Sequence, residues 1–247
     1  MTIVHGNGRA AVMFAGIAAA ACLLFAPPPA HAVVSSQVNG GGQLFVSGDG
    51  ASDSYAISCV AGTVKVNGAD PSGGPTACAA ITLLGGNTGP GDDTVDLTAV
   101  SNAAGFTNPR MQNTPFGTYI ALGEGADVGV LGPLGGEFEG EGGNDQLTGS
   151  DNRDRFGGGP GSDTIHGRGG FDLVNSGSGN DRVFGEGGRD NLNGQGGADL
   201  MAGGAGGDLL YGNGGNDALL GGGGRDTAHG DRGRDRCRAE LLFNCET

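Results

Sequence analysis

The sequence predicts an all-β chain, a right-handed parallel β-roll (a β-solenoid) behind a β-rich N-terminal cap. Three observations carry that expectation. Glycine supplies 56 of 247 residues, with no tryptophan and aromatics at only 5%, too little bulk for a thick globular core. From residue 140 the glycines recur in consecutive nine-residue units without a gap. Within each unit an acidic and an apolar residue keep fixed places, which a flexible glycine linker has no reason to do.

The sixth position of every unit is aspartate: Asp145, Asp154, Asp163, Asp172, Asp181, Asp190, Asp199, Asp208, Asp217, Asp226 and Asp235. The eighth is apolar throughout: Leu147, Phe156, Ile165, Val174, Val183, Leu192, Met201, Leu210, Leu219, Ala228 and Cys237. Position four is glycine in all but the second unit, where Asn152 stands. Positions one to six then form a turn in which glycine permits positive φ and leaves carbonyls uncovered. Positions seven to nine form a short strand whose middle side chain points inward. Two units make one coil, so aspartates two units apart stack roughly 4.8 Å from each other.

Units such as Gly158-Gly159-Pro160-Gly161-Ser162-Asp163-Thr164-Ile165-His166 and Gly203-Gly204-Ala205-Gly206-Gly207-Asp208-Leu209-Leu210-Tyr211 resemble the RTX, or hemolysin-type calcium-binding, repeat family. The resemblance spans residues 140–238 and implies Ca2+ as the bound cofactor, held between stacked loops by the eleven aspartates. A cation there would remove the repulsion between stacked carboxylates, and carboxylate and carbonyl oxygens are the hard donors that calcium takes. Two edges of six and five loops leave roughly nine shared gaps. The loop Gly149-Ser150-Asp151-Asn152-Arg153-Asp154 departs most from the pattern, although Asn152 can reach positive φ. Asp226 and Asp235 lie among Arg225, Arg232, Arg234, Arg236 and Arg238, which disfavours a cation.

Upstream, residues 33–139 read as a β-rich cap with degenerate repeats. Gly89-Pro90-Gly91-Asp92-Asp93-Thr94-Val95 and Gly123-Glu124-Gly125-Ala126-Asp127 keep the loop-then-strand form. Asp127 lies two periods before Asp145, and the unit between them has Gly136 in the aspartate position with Phe138 inward. Earlier strands are expected at 43–47, 54–60, 63–67 and 80–84, between glycine or Asp/Gly turns. Residues 239–247 are expected to fold over the last coil as a C-terminal cap.

Residues 1–32 have the form of a cleaved export signal: Arg9, an apolar run at 10–26, and Ala30-His31-Ala32. The run is short for a membrane span and ends in Pro27-Pro28-Pro29, and Cys22 falls inside it. Cleavage leaves Cys59, Cys78, Cys237 and Cys245, an even number suited to an oxidising compartment. Three pairings are possible; Cys59 with Cys78 and Cys237 with Cys245 fits the division of the chain. The expected location is therefore secreted or extracellular, with cell-wall association open.

Net charge is −14, and losing a leader with one arginine and no acid makes it more negative still. That argues against nucleic acid or an anionic membrane as partner and makes calcium ions the natural ligand. The chain is expected to act as a monomer, with no protein or cell-surface partner identifiable. After cleavage the histidines are His166 and His229, both at position nine and an odd number of units apart, so they fall on opposite edges. No H-E-x-x-H or G-x-S-x-G motif is present. The sequence thus points to a non-catalytic, exported calcium-binding protein whose repeats fold on binding. Two other readings stay open: a calcium-stiffened adhesion or interaction module, and an RTX-bearing hydrolase or toxin.

Overall fold

The computed structural model of the protein describes residues 35–38, 42–81, 83–101 and 118–245. The expected leader, residues 1–32 with Cys22, lies outside them. Two sheets carry the described chain. The first runs in spatial order Ser35–Val38, Gln43–Ser47, Leu83–Asn87, Thr118–Glu124, Glu137–Gly142, Arg155–Pro160, Leu173–Ser178, Asn191–Gly196, Leu209–Tyr211, Thr227–His229 and Leu241–Phe243. The second is built from the alternate units, from Ser54–Val60 through Thr94–Asp96, Val128–Val130, Gln146–Thr148, Thr164–His166, Arg182–Gly188, Leu200–Gly206 and Ala218–Gly224 to Arg236–Arg238. Successive units therefore alternate between sheets, and the chain coils as a parallel β-solenoid. Among the described residues the one helical element is the 3-10 turn Cys78–Ala80, and no helix is long and apolar enough to cross a membrane.

Register follows from the nonapeptide. Leu147 pairs with Ile165, Ile165 with Val183, and Val183 with Met201 on one sheet. Phe156 pairs with Val174 and Val174 with Leu192 on the other. Every position-eight residue from Leu147 to Ala228 is buried, which makes the core two facing files of single side chains. The files continue upstream through Phe138, Ile120, Val95 and Tyr55. Where Gly129 supplies no side chain, the ring of Phe138 fills the place: a methyl on Gly129 would lie 2.9 Å from Phe138 Cε2.

Position four is held by both conformation and space. Gly143, Gly161, Gly179, Gly197 and Gly215 have φ from 137° down to 128° or up to 150°, values that L side chains rarely adopt. They also stack directly, so that a methyl on Gly161 would lie 1.4 Å from the Gly143 carbonyl oxygen. Asn152 is the exception, and it does not take the positive φ open to it. Positive φ occurs instead at position two of most units even without glycine, at Glu141, Arg168, Glu186, Gln195, Asn213 and Asp231. Several of these side chains meet the position-nine residue of the coil before: Glu186 contacts His166 at 2.8 Å, and Gln195 Nε2 donates to Asn175 Oδ1.

The two ends differ. At the N-terminal end Ser35–Val38 lies antiparallel on Gln43–Ser47, and Thr63–Val66 antiparallel on Ser54–Val60, so both parallel stacks stop there. The strand expected at 80–84 forms later, at Leu83–Asn87. Cys78, which opens the 3-10 turn, is bridged to Cys59, and pairing of Gln43–Ser47 with 83–87 sets the register. At the C-terminal end Leu241–Phe243 does not fold across the last coil. It adds one more parallel strand beside Thr227–His229, with Leu241, Leu242 and Phe243 exposed at 48%, 41% and 46%. The Cys237–Cys245 disulfide ties this strand to the preceding unit.

Gly161→Ala should cost more than about 1 kcal/mol of stability, because it adds both strain and a clash. Gly196→Ala, with open space around it, should cost less than about 1 kcal/mol. Urea unfolding in saturating calcium compares the two.

Candidate metal centre

The aspartates form two rows, one along each edge. In the first row the backbone N–H of each aspartate donates to Oδ1 of the next: Asp53 to Asp93, Asp93 to Asp127, Asp127 to Asp145, and onward through Asp163, Asp181, Asp199 and Asp217 to Asp235, at 2.6–3.0 Å. In the second row Gly136 donates to Asp154, which begins a series through Asp172, Asp190, Asp208 and Asp226. This row ends on Glu240, whose Oε2 accepts from the Asp226 N–H at 2.8 Å. The aspartate thus locks one coil to the next through a single oxygen.

The other oxygen is the notable one. Every aspartate of the two rows except Asp154 keeps one carboxylate oxygen buried without a hydrogen-bond partner: Oδ1 of Asp53 and Oδ2 of the rest. A buried, unpaired carboxylate oxygen is costly. In the array units with glycine at position one, other than the one that opens at Gly149, this oxygen faces the space that the glycine leaves. A methyl on Gly140 would lie 2.2 Å from Asp145 Oδ2 and 2.5 Å from the Gly158 carbonyl oxygen. On Gly203 it would lie 2.4 Å from Asp208 Oδ2 and 2.6 Å from the Gly221 carbonyl. On Gly212 the values are 2.4 Å from Asp217 Oδ2 and 3.0 Å from the Gly230 carbonyl. Each gap therefore collects a carboxylate oxygen from one loop and a carbonyl oxygen from its same-edge neighbour. Among the described residues no three His, Cys, Asp or Glu side chains converge, so an ion must draw on backbone oxygens as well. Such a donor set fits a hard divalent cation and offers nothing to zinc or copper.

Three loops modify this gap. Asp154 Oδ2, expected among the ligands, accepts from Ser150 N at 2.6 Å and Ser150 Oγ at 2.9 Å; a serine hydroxyl and amide satisfy the oxygen left free elsewhere. Ser176 occupies position one before Asp181, and its Oγ donates to the Gly194 carbonyl at 3.1 Å. In the last unit the Asn244 carbonyl takes the part of the neighbouring loop, 2.6 Å from a methyl on Gly230. The arginines near Asp226 and Asp235 make no ion pair with them, and both aspartates keep the unpaired oxygen.

Sequence reasoning stopped its ligand row at Asp145. Asp93 and Asp127 read in the sequence as remnants of the repeat, and its nine-residue phase does not reach Asp53 or Glu240. The signal for Asp53 was present in Gly48-Asp49-Gly50-Ala51-Ser52-Asp53-Ser54-Tyr55-Ala56, with glycine at position one, aspartate at six and an apolar ring at eight. The insertion that follows hid its phase.

Loss of water on burial pushes several of the row aspartates up. Asp145, Asp154 and Asp190 rise to about 6, Asp127, Asp163 and Asp199 to about 7, and Asp172 to about 8. Repulsion from the stacked neighbours adds to burial for Asp163, Asp172 and Asp199, while the backbone N–H bond opposes it.

Two interleaved rows of buried hard-oxygen gaps on a parallel solenoid define a cation-binding repeat protein. Residues 137–237 match, in overlapping stretches, the RTX calcium-binding nonapeptide repeat (four copies). That segment carries RTX calcium-binding repeats, and the cation is calcium. Searches of curated proteins and of solved structures found no match to the chain.

Two outcomes follow. Asp163→Asn should lower the calcium stoichiometry measured by calorimetry, whereas Asp154→Asn should leave it unchanged because Ser150 already satisfies that carboxylate. The pH dependence has a fixed sign. Unfolded aspartates titrate near 3.9, so the metal-free folded roll holds more protons than the unfolded chain between about pH 4 and 8 and loses stability as pH rises through that window. Calcium-depleted protein should therefore show more β signal in circular dichroism at about pH 5 than at about pH 8, and calcium affinity should fall as pH drops.

Proposed function

We propose that the protein is an exported, non-catalytic calcium-binding protein whose roll is completed by the calcium of the medium. The proposed ligands are Asp145, Asp163, Asp172, Asp181, Asp190, Asp199, Asp208, Asp217, Asp226 and Asp235, each with carbonyls of the adjoining loop. One observation carries this reading: the continuous rows of buried carboxylate oxygens without a partner. Their cost falls on the metal-free fold and is removed by a cation, so binding and folding are coupled. The core cannot easily offset it. It is two single files of side chains, set against roughly 1–2 kcal/mol of backbone entropy for each ordered residue.

The proposed organisation is a cleaved leader at 1–32, an N-terminal module at 33–139, the calcium roll at 140–238 and a terminal segment at 239–247. The leader pattern and the two disulfides support export. Surroundings of the histidines support a non-catalytic role. His166 is stacked on Phe184 in one sheet, and His229 lies between Tyr211 and Phe243 in the other.

Circular dichroism across a calcium titration tests the coupling: β signal should rise cooperatively with calcium and fall on chelation. A full β signal in excess chelator at neutral pH would sink it. Export is tested by fractionating the producing cells, with the mature protein expected outside and beginning at Val33.

A further inference from the structure

The two edges of the roll differ at position five, and the difference leaves a basic cavity on an acidic protein. We propose that Arg189 and Arg225, with Gly207 between them, form a pocket for a sulfate- or phosphate-type oxyanion. This binding activity is additional to the proposed function.

On the first edge position five is structural. Asn144 Oδ1 accepts from the Ser162 N–H at 2.7 Å, and Ser162 Oγ from the Asn180 N–H at 3.3 Å. Asn180 Oδ1 accepts from the Ala198 N–H at 2.7 Å, and Asn216 Oδ1 from the Arg234 N–H at 2.9 Å. Each of these side chains ties its loop to the one stacked on it. On the second edge the same position reads Arg153, Phe171, Arg189, Gly207 and Arg225. A guanidinium has no acceptor, so an arginine there cannot make the loop-to-loop bond. Arg189 and Arg225 are exposed, and among the described residues neither enters an ion pair.

Gly207 stands one coil from each arginine and adds no side chain to the space between them. An open cavity of about 370 Å³ lies there, its lining including Arg189, Gly207, Arg225, Asp226, Thr227 and Glu240. The two arginine backbones are roughly 10 Å apart along the axis, close enough for both side chains to close on one tetrahedral group. Both acids of the lining are already turned to the backbone. Asp226 is 1% exposed, gives Oδ1 to the Asp208 N–H and has Oδ2 beside Gly221. Glu240 Oε2 accepts from the Asp226 N–H at 2.8 Å. That bond, with Arg225 adding to it, holds the Glu240 carboxyl below the usual carboxylate range. Guanidinium forks match the paired oxygens of sulfate and phosphate, and Thr227 brings a hydroxyl. The volume is at the lower end of ligand-sized clefts, roughly 300–1,000 Å³, which suits an oxyanion on a small polar carrier.

Calorimetry on the calcium-loaded mature protein, with sodium sulfate and glycerol 2-phosphate as probes, tests the pocket. Both should bind at one site. Arg189→Gln or Arg225→Gln should each weaken binding at least about tenfold, whereas Arg234→Gln, at position five of the other edge, should leave it unchanged. Gly207→Leu keeps both arginines but fills the space, and should abolish binding. All four variants should retain the β signal and the calcium stoichiometry. Short sulfated dextran distinguishes the source of the anion. Binding tighter than that of free sulfate, and weakened also by Arg153→Gln, supports the pocket with a polymer along the edge as ligand. No gain over free sulfate supports it with a small free oxyanion. Failure of all three probes to bind, or binding unchanged in both Arg189→Gln and Arg225→Gln, overturns the pocket and leaves the calcium array untouched.

Discussion

One contact organises this protein: an aspartate that gives one carboxylate oxygen to the amide of the preceding coil and keeps the other buried and unpaired. The first oxygen sets the coil-to-coil register, because the amide it accepts from belongs to the residue one full turn earlier. The second makes that register expensive without a cation. Structure and ligand demand are therefore two ends of the same side chain. Removing water from a file of like charges raises their proton affinity, and a divalent ion or a set of protons can relieve the same strain.

The glycines follow from this contact. Glycine suits position one because the unpaired oxygen and, in most units, the neighbouring carbonyl lie close to where a Cβ would stand. Position four must be glycine for a different reason, since successive loops stack with the carbonyl of one in the place of a side chain on the next. The chain accepts deviations only when another group takes over. Ser150 satisfies Asp154 in the loop that lacks the position-four glycine, Ser176 bonds the carbonyl that its gap would present, and Phe138 fills the core where Gly129 cannot. Glu240 ends the second row by reaching the last free amide from a segment that no longer follows the nine-residue phase.

The array was legible because its period is unbroken. Nine-residue spacing assigns Asp163 and Ile165 to opposite roles without any structure, and alternation between two sheets follows from strands only three residues long. Legibility failed where spacing failed. Asp53 belongs to a complete unit, but 40 residues separate it from Asp93, so no local pattern announces that the two carboxylates are neighbours. The strand expected at 80–84 moved to Leu83–Asn87 because pairing with a distant strand and the bridge at Cys78 outweighed local β propensity. Positive φ at Glu141, Arg168 and Glu186 was equally hidden. Those residues have no intrinsic preference for it, and the loop imposes it through the glycines and ladders on either side.

What the sequence determined by itself was the repeating unit: a turn of glycines, one acid, one inward apolar residue, and hence an all-β coil with hard-oxygen gaps. Periodicity is a local property, and local chemistry is enough to read it. Only the tertiary structure decided where the coil begins and ends, that both sheets run back to Gln43–Ser47 and Ser54–Val60, and that Leu241–Phe243 extends a sheet where it was expected to cover one. It also decided which aspartates keep an oxygen unsatisfied. That property depends on what occupies position one in the same loop and on which carbonyl the next coil presents, and those groups meet only when coils distant in sequence are stacked.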